Sequence, residues 1–116
     1  MTAPAKVEEF EGTMAVRLGP LAEIPLGEGR AYAVGADQIA VFRLRGGGLR
    51  ALSAICPHSG GPLADGQIDE KIVICPLHLH TFELASGCST SGQQNLATYP
   101  VGVDPEGQIV VHVPAV

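Results

Sequence analysis

Two short motifs in the middle of the chain constrain its fold more than any other feature. The first motif begins Cys56-Pro57-His58 and the second reads Cys75-Pro76-Leu77-His78, with sixteen residues between His58 and Cys75. Thiolate sulfur and imidazole nitrogen are both common metal ligands in proteins. Two tight loops that each carry a cysteine and a histidine therefore predict a metal site assembled from two parts of the chain.

The distribution of these ligands favours two metal ions over one. Structural zinc modules with two cysteines and two histidines usually pair like with like at close spacing. Here each motif has one cysteine and one histidine, so each motif can give one ligand to each of two metals. A two-iron, two-sulfur cluster with both cysteines on one iron and both histidines on the other needs this arrangement. A structural zinc ion in an interaction module without a redox role is the alternative.

The segments CPHSGGPLADG and VICPLH resemble the two ligand boxes of the Rieske iron-sulfur family. The resemblance covers residues 14–113 and implies a 2Fe-2S cluster, with electron transfer as its function. It implies an all-β fold, a Rieske-type antiparallel β-sandwich, with a smaller cluster-binding lobe at about residues 54–84. The implied cluster and metal ligands are Cys56, His58, Cys75 and His78. The residues expected around these ligands are Gly60, Gly61, Pro62, Leu77, His80 and Phe82.

Short apolar or alternating segments, separated by glycine, proline and polar turns, independently predict an all-β protein. The predicted strands are 14–18, 30–34, 39–44, 49–55, a short strand after Asp65-Gly66, 72–74, 81–84, 96–103 and 108–113. Hairpin turns are expected at 46–48 and 104–107. No stretch of ten or more residues has convincing helical periodicity, so a sandwich or small barrel is expected. We expect residues 1–12 to be a flexible tail and residues 13–116 to form a single domain.

The amino-acid composition indicates which kinds of partner and which cellular compartment to expect. The net charge is -5 with seven lysines and arginines and no basic run, which disfavours nucleic acid and anionic membranes. No apolar run is long enough to span a bilayer. Three cysteines do not form an even disulfide set, and thiolate ligands need a reducing compartment, so we expect a cytoplasmic protein. A redox partner with a basic docking face suits the acidic surface.

Departures from the high-potential Rieske pattern predict a low reduction potential. High-potential members have a further cysteine in each box, joined by a disulfide, where this chain has Gly61 and Leu77. They also have a serine and a tyrosine where this chain has His80 and Phe82, so neither expected hydroxyl is present. Fewer donors to sulfur stabilise the reduced cluster less. We predict a potential in the lower part of the family range of roughly -150 to +300 mV.

The remaining residues near the second box bear on the partner. Leu79 stands where most soluble Rieske ferredoxins have glycine, which favours a resemblance to the small subunit of assimilatory NAD(P)H nitrite reductase. We predict an electron-transfer component beside a large oxidoreductase subunit, without enzymatic activity of its own. The alternative is a free ferredoxin that carries electrons from a flavoprotein reductase to an aromatic ring-hydroxylating dioxygenase. His80 is interpreted as an ordinary surface group, and Cys88 as a free thiol.

Overall fold

The computed structural model describes residues 13–34, 37–54, 63–75, 81–90 and 95–114. These residues form β-strands connected by turns and by two 3₁₀ helices of three residues, Leu21–Glu23 and Leu63–Asp65. The strands are β1 (Thr13–Pro20), β2 (Glu28–Val34), β3 (Asp37–Arg43), β4 (Leu49–Ser53), β5 (Gln67–Ile68), β6 (Ile72–Ile74), β7 (Thr81–Glu83), β8 (Thr98–Tyr99), β9 (Val101–Val103) and β10 (Gln108–Pro114). The predicted all-β class is confirmed. None of the helices among the described residues has the length and apolar character required to cross a membrane.

The chain divides into two compact units. The central unit is Ile24–Thr98, and the terminal unit has the described residues 13–23 and 99–114. The predicted cluster-binding lobe, at about 54–84, falls within the residue range of the central unit. The single domain over 13–116 stays a prediction, and the predicted flexible tail lies outside the described residues.

The terminal unit is built on an antiparallel sheet with the order β1, β10, β9. Ile109, Val111 and Val113 are buried, and they alternate along β10 because successive side chains of a strand point to opposite faces. The predicted turn at 104–107 joins β9 to β10, where the N–H of Asp104 donates to the carbonyl of Gln108 at 2.9 Å. The C-terminal hairpin is therefore confirmed.

One predicted strand is wrong in its extent. Residues 96–103 were expected to form one strand, but the structure has two strands in different sheets, β8 beside β4 and β9 beside β10. Pro100 lies between them. Proline has no N–H to donate to a continuous ladder, and its carbonyl accepts the N–H of His112 at 2.9 Å. The chain therefore changes sheets at Pro100.

The larger sheet of the central unit has the order β2, β3, β4, β8. Strand β3 is its most buried member, with Ile39, Ala40, Val41 and Phe42 all at 0% exposure. The predicted turn at 46–48 joins β3 to β4: Leu44 N–H donates to the carbonyl of Gly48, and Gly47 adopts a φ of 103°. Such a φ is open to glycine at no steric cost. The strand predicted over 49–55 ends at Ser53, and Ile55 lies outside the described residues.

A second, smaller sheet of the central unit has the order β5, β6, β7. The turn before β6 is fixed by Asp69, whose Oδ1 accepts the N–H groups of Lys71 and Ile72 at 2.7 and 2.8 Å. The Ile72 and Lys71 N–H groups lower the pKa of Asp69 because they stabilise its charged form. One apolar core contains residues from both sheets. Its members at 0% exposure include six residues on or next to the elements that lead to the two motifs: Phe42, Leu52, Leu63, Val73, Cys75 and Phe82.

Candidate metal centre

Of the four predicted ligands, Cys75 lies among the described residues, and Cys56, His58 and His78 lie outside them. Of the residues expected around the ligands, Phe82 is described. The others, Gly60, Gly61, Pro62, Leu77 and His80, lie outside the described residues. The geometry of the site is therefore built from Cys75 and from the residues at which the two ligand segments begin and end.

Cys75 directly follows β6, as the sequence predicts. Its exposure is 0%, and it belongs to the same apolar core as Val73 and Phe82. The short strand fixes the backbone that leads into this residue, because β6 is hydrogen-bonded to a strand on each side. The structure thus places Cys75, the first predicted ligand of the second box, at the end of a strand paired on both sides and inside the apolar core.

The segment that contains Cys56 and His58 begins and ends at one backbone hydrogen bond. The N–H of Leu63 donates to the carbonyl of Ala54 at 2.9 Å, so the residues on either side of 55–62 are held together. Both residues are buried, Ala54 at 3% and Leu63 at 0% exposure. Ala54 is fixed from its other side as well, since its N–H donates to the carbonyl of Gln38 at 2.8 Å. The base of the first ligand segment is a closed, buried junction.

The segment that contains Cys75 and His78 has a similar base. Ile74, the residue before Cys75, is paired in the antiparallel ladder with Thr81, the first residue of β7. Ile74 is also paired with Gln67 of β5 on its other side. The end of β6 and the start of β7, on either side of residues 75–80, are therefore held together at one ladder position.

The two bases are connected through one short stretch of chain. Leu63 begins the 3₁₀ helix Leu63–Asp65, and the N–H of Gly66 donates to the carbonyl of Leu63 at 2.9 Å. The next residue, Gln67, pairs with Ile74. The five residues 63–67 thus lead from the base of the first ligand segment to the base of the second. The sequence predicts a turn at Asp65-Gly66. It does not predict that this turn lies between the two bases, because the local hydrophobic pattern carries no information about contacts with distant residues.

Phe82 lies opposite Val73 in the ladder and is fully buried. The backbone of the following loop extends the sheet beside it: Phe82 forms a β-bridge with Ser89, and the N–H of Glu83 donates to the carbonyl of Cys88 at 2.8 Å. Phe82 has the burial expected of a residue that limits solvent around the site. Cys88 is exposed and forms no disulfide, in agreement with the prediction of a free thiol.

The surroundings of Cys75 fit a thiolate-bound iron cluster. A thiolate at the position of Cys75, in an apolar interior, is costly unless a positive centre lies beside it. A cluster iron supplies that charge, and a short rigid strand is a suitable support for one of its ligands. Among the described residues no group of three or more histidine, cysteine, aspartate or glutamate side chains is placed to hold a metal ion.

Comparison with known proteins gives the family. The family model of the Rieske [2Fe-2S] domain matches residues 14–100 of this chain, a range that contains both motifs. The chain belongs to the Rieske 2Fe-2S domain family, and its cofactor is a 2Fe-2S cluster. The structural zinc alternative is set aside by this match.

Relatives of two kinds are similar to the chain. The ferredoxin component of the naphthalene 1,2-dioxygenase system of Pseudomonas aeruginosa is 31% identical over 93 residues, 78% of this chain and 86% of the relative. A crystal structure assigned as the NADH-dependent nitrite reductase small subunit of Mycobacterium tuberculosis has a TM-score of 0.82 and 25% identity, with 90% of this chain and 98% of that chain covered. The ferredoxin of carbazole 1,9a-dioxygenase from Nocardioides aromaticivorans has a TM-score of 0.76 and 30% identity, with 84% and 95% covered. These likenesses confirm the predicted fold class, the Rieske-type antiparallel β-sandwich.

Proposed function

We propose that Cys56, His58, Cys75 and His78 bind the 2Fe-2S cluster, with both cysteines on one iron and both histidines on the other. The observation that carries this proposal is the buried position of Cys75 at the end of β6, inside a chain that belongs to the Rieske family. The closed bases of residues 55–62 and 75–80 support it, because each base holds together the two ends of a segment with one cysteine and one histidine.

The ligand set has a direct test in nitrogen spectroscopy. Protein grown with ¹⁵N-labelled histidine should give, in its reduced form, hyperfine couplings from two directly bound nitrogens. His58→Ala and His78→Ala should each remove the cluster, whereas His112→Ala, a histidine of the terminal unit, should keep it. Retention of the two nitrogen couplings in either of the first two variants would refute the proposed ligands.

The function is electron transfer. When bound, the cluster supplies a reversible one-electron couple, with histidine ligands that raise its potential above that of an all-thiolate cluster. The chain's own residues hold the thiolate of Cys75 away from water and fix the backbone on both sides of the ligands. Four protein ligands leave the metals no open position for a substrate, so the chain passes electrons between partner proteins. We place it in the cytoplasm, where a reducing environment protects thiolate ligands.

For the partner, we propose a nitrite-reductase-like oxidoreductase with a large flavin- and haem-containing subunit. The likeness to the Mycobacterium tuberculosis small subunit supports this choice, since it covers 90% of the chain with a TM-score of 0.82. Leu79 after the second histidine also favours the resemblance to nitrite reductase small subunits. A net charge of -5 suits a basic docking face on the large subunit.

The second candidate is a free ferredoxin for an aromatic ring-hydroxylating dioxygenase. Sequence identity favours this role, at 31% to the naphthalene system component and 30% to the carbazole dioxygenase ferredoxin. The two roles differ in the donor of electrons. A ferredoxin accepts electrons from a small flavoprotein reductase as a separate protein, whereas a subunit accepts them within a stable complex.

Affinity purification from the native host distinguishes the two roles. A tagged chain that brings down a large sirohaem protein in stoichiometric amount, with nitrite-dependent NAD(P)H oxidation, supports the nitrite-reductase-like role. A chain that elutes alone, and whose visible absorbance is bleached by NADH and a purified small flavoprotein reductase at catalytic concentration, would refute that role and support the ferredoxin.

A further inference from the structure

Gly66 is packed against the backbone more tightly than a side chain would allow. A Cβ atom placed on this residue would lie 2.2 Å from the carbonyl oxygen of Ile74 and 3.1 Å from the carbonyl oxygen of Leu63. Real Cβ atoms essentially never approach another heavy atom within 3.0 Å. The φ of Gly66 is outside the left-handed region, so the requirement for glycine here is steric. Any other residue must push Ile74 away.

Ile74 is the residue immediately before Cys75, and Leu63 closes the base of the first ligand segment. The close contact of Gly66 therefore sets the distance between the bases of the two segments that carry the predicted ligands. Both neighbours are backbone atoms, which cannot move aside by changing rotamer. A displacement of the Ile74 carbonyl by a new methyl group would be passed to Cys75 through one peptide bond.

The sequence lacks the cysteine pair that joins the two ligand segments in high-potential Rieske proteins. The two positions that carry the disulfide in high-potential relatives are occupied by Gly61 and Leu77. Hydrogen bonds and packing have to keep the segments in register without that covalent link. The described residues that connect the two bases are those of the stretch 63–67.

We propose that Gly66 is a positioning residue for the Cys75 thiolate. Its lack of a side chain lets the turn after the first box close directly onto the end of β6, and this fixes Cys75 relative to the first ligand segment. The inference rests on the proposed ligand role of Cys75. It predicts that the spectroscopic and redox properties of the bound cluster depend on Gly66, although Gly66 is not a ligand.

The test compares Gly66→Ala with two control variants. In Gly48→Ala the new Cβ would meet only the Cδ1 atom of Leu44 at 3.6 Å, an ordinary contact. In Gly87→Ala it would clash with the backbone carbonyl of Leu96, so the central unit is strained without contact to Ile74 or to residues 63–67. For each protein we would measure the g-values of the reduced form, the midpoint potential, the rate of cluster loss and the thermal midpoint.

Gly66→Ala should shift the g-values and the midpoint outside the spread of wild type and both controls, and lose its cluster several-fold faster. A folded Gly66→Ala protein that cannot retain a cluster, while Gly87→Ala retains one, would also support the inference. Unchanged g-values, potential and cluster retention would overturn the inference.

Two further measurements test the inference if Gly66→Ala does not fold or if the wild-type protein holds no cluster. If Gly66→Ala does not fold, we would insert one glycine between Asp65 and Gly66, which should loosen the contact without adding a Cβ atom. The same insertion between Gly47 and Gly48 is its control, and only the first insertion should alter the g-values. If wild-type protein holds no cluster at all, the proposed function fails instead, which the wild-type spectrum reveals separately.

Discussion

Replacement of Phe82 by tyrosine should raise the reduction potential. Phe82 is fully buried in the core that contains Cys75, and it occupies the position at which high-potential Rieske proteins have a tyrosine. The new hydroxyl would be a hydrogen-bond donor in a water-poor region beside the site. A donor to cluster sulfur favours the reduced form, because that form carries the extra negative charge.

The size of the shift follows from hydrogen-bond energies. A net hydrogen bond contributes about 1 kcal/mol between neutral groups and about 2 kcal/mol when the acceptor is charged. Stabilisation of the reduced state over the oxidised state by about 1 kcal/mol corresponds to roughly 40 mV for a one-electron couple. A hydroxyl that finds no acceptor would instead cost about 1 to 3 kcal/mol of folding stability and leave the potential unchanged.

Phe42→Tyr is the matched control, since Phe42 is also at 0% exposure in the same core but lies on β3. Spectroelectrochemical titration of both variants gives the potentials, and thermal unfolding followed by circular dichroism gives the stabilities. We expect a rise of tens of millivolts for Phe82→Tyr and none for Phe42→Tyr. An unchanged potential in Phe82→Tyr, or an equal shift in both variants, would refute the proposed role of position 82.

Three further results are expected. The wild-type midpoint should lie in the lower part of the family range, and a value above about +150 mV in a redox titration would contradict the argument from missing hydroxyl donors. Cys75→Ala should abolish the visible absorbance of the cluster, whereas Cys88→Ala, at an exposed thiol, should keep it at full iron content; a brown Cys75→Ala protein would exclude Cys75 as a ligand. Asp104→Asn should lower the thermal midpoint at pH 7. The N–H of Gln108, with that of Glu106 and the charge of Arg17, holds the pKa of the Asp104 carboxyl below 3.8. That stabilisation is present above pH 3.8 and is lost as the pH falls through the lowered pKa, so a gap between the two proteins that is as wide at pH 2 as at pH 7 would contradict this reasoning.

Most strands could be predicted from the sequence because their signals are local. The apolar run of β3 and the glycines of the following turn specify a hairpin without reference to the rest of the chain. The same holds for Cys75, which follows the branched residues of β6. The two motifs identify the cluster because metal ligation depends on a few residue types at fixed spacing.

What could not be predicted depends on contacts between distant parts of the chain. The change of sheet at Pro100 depends on the pairing of β8 with β4 and of β9 with β10. The hydrophobic periodicity of residues 96–103 does not predict these partners. The pairing of Arg17 with the buried Asp104, at 2.7 Å, joins residues far apart in the sequence. The approach of Gly66 to Ile74 is also of this kind, since a glycine in a turn has the same local pattern whether or not a backbone passes against it.

The central claim is that this chain carries electrons through a 2Fe-2S cluster with histidine ligands. The most direct measurement is the visible spectrum and the low-temperature EPR spectrum of anaerobically purified protein, before and after dithionite, with iron, sulfide and zinc determined on the same sample. We expect a brown protein with two irons and two sulfides per chain, whose reduced form gives the rhombic signal of a mixed-valence cluster with histidine ligands. A colourless, EPR-silent protein with one zinc per chain and no sulfide would contradict the claim.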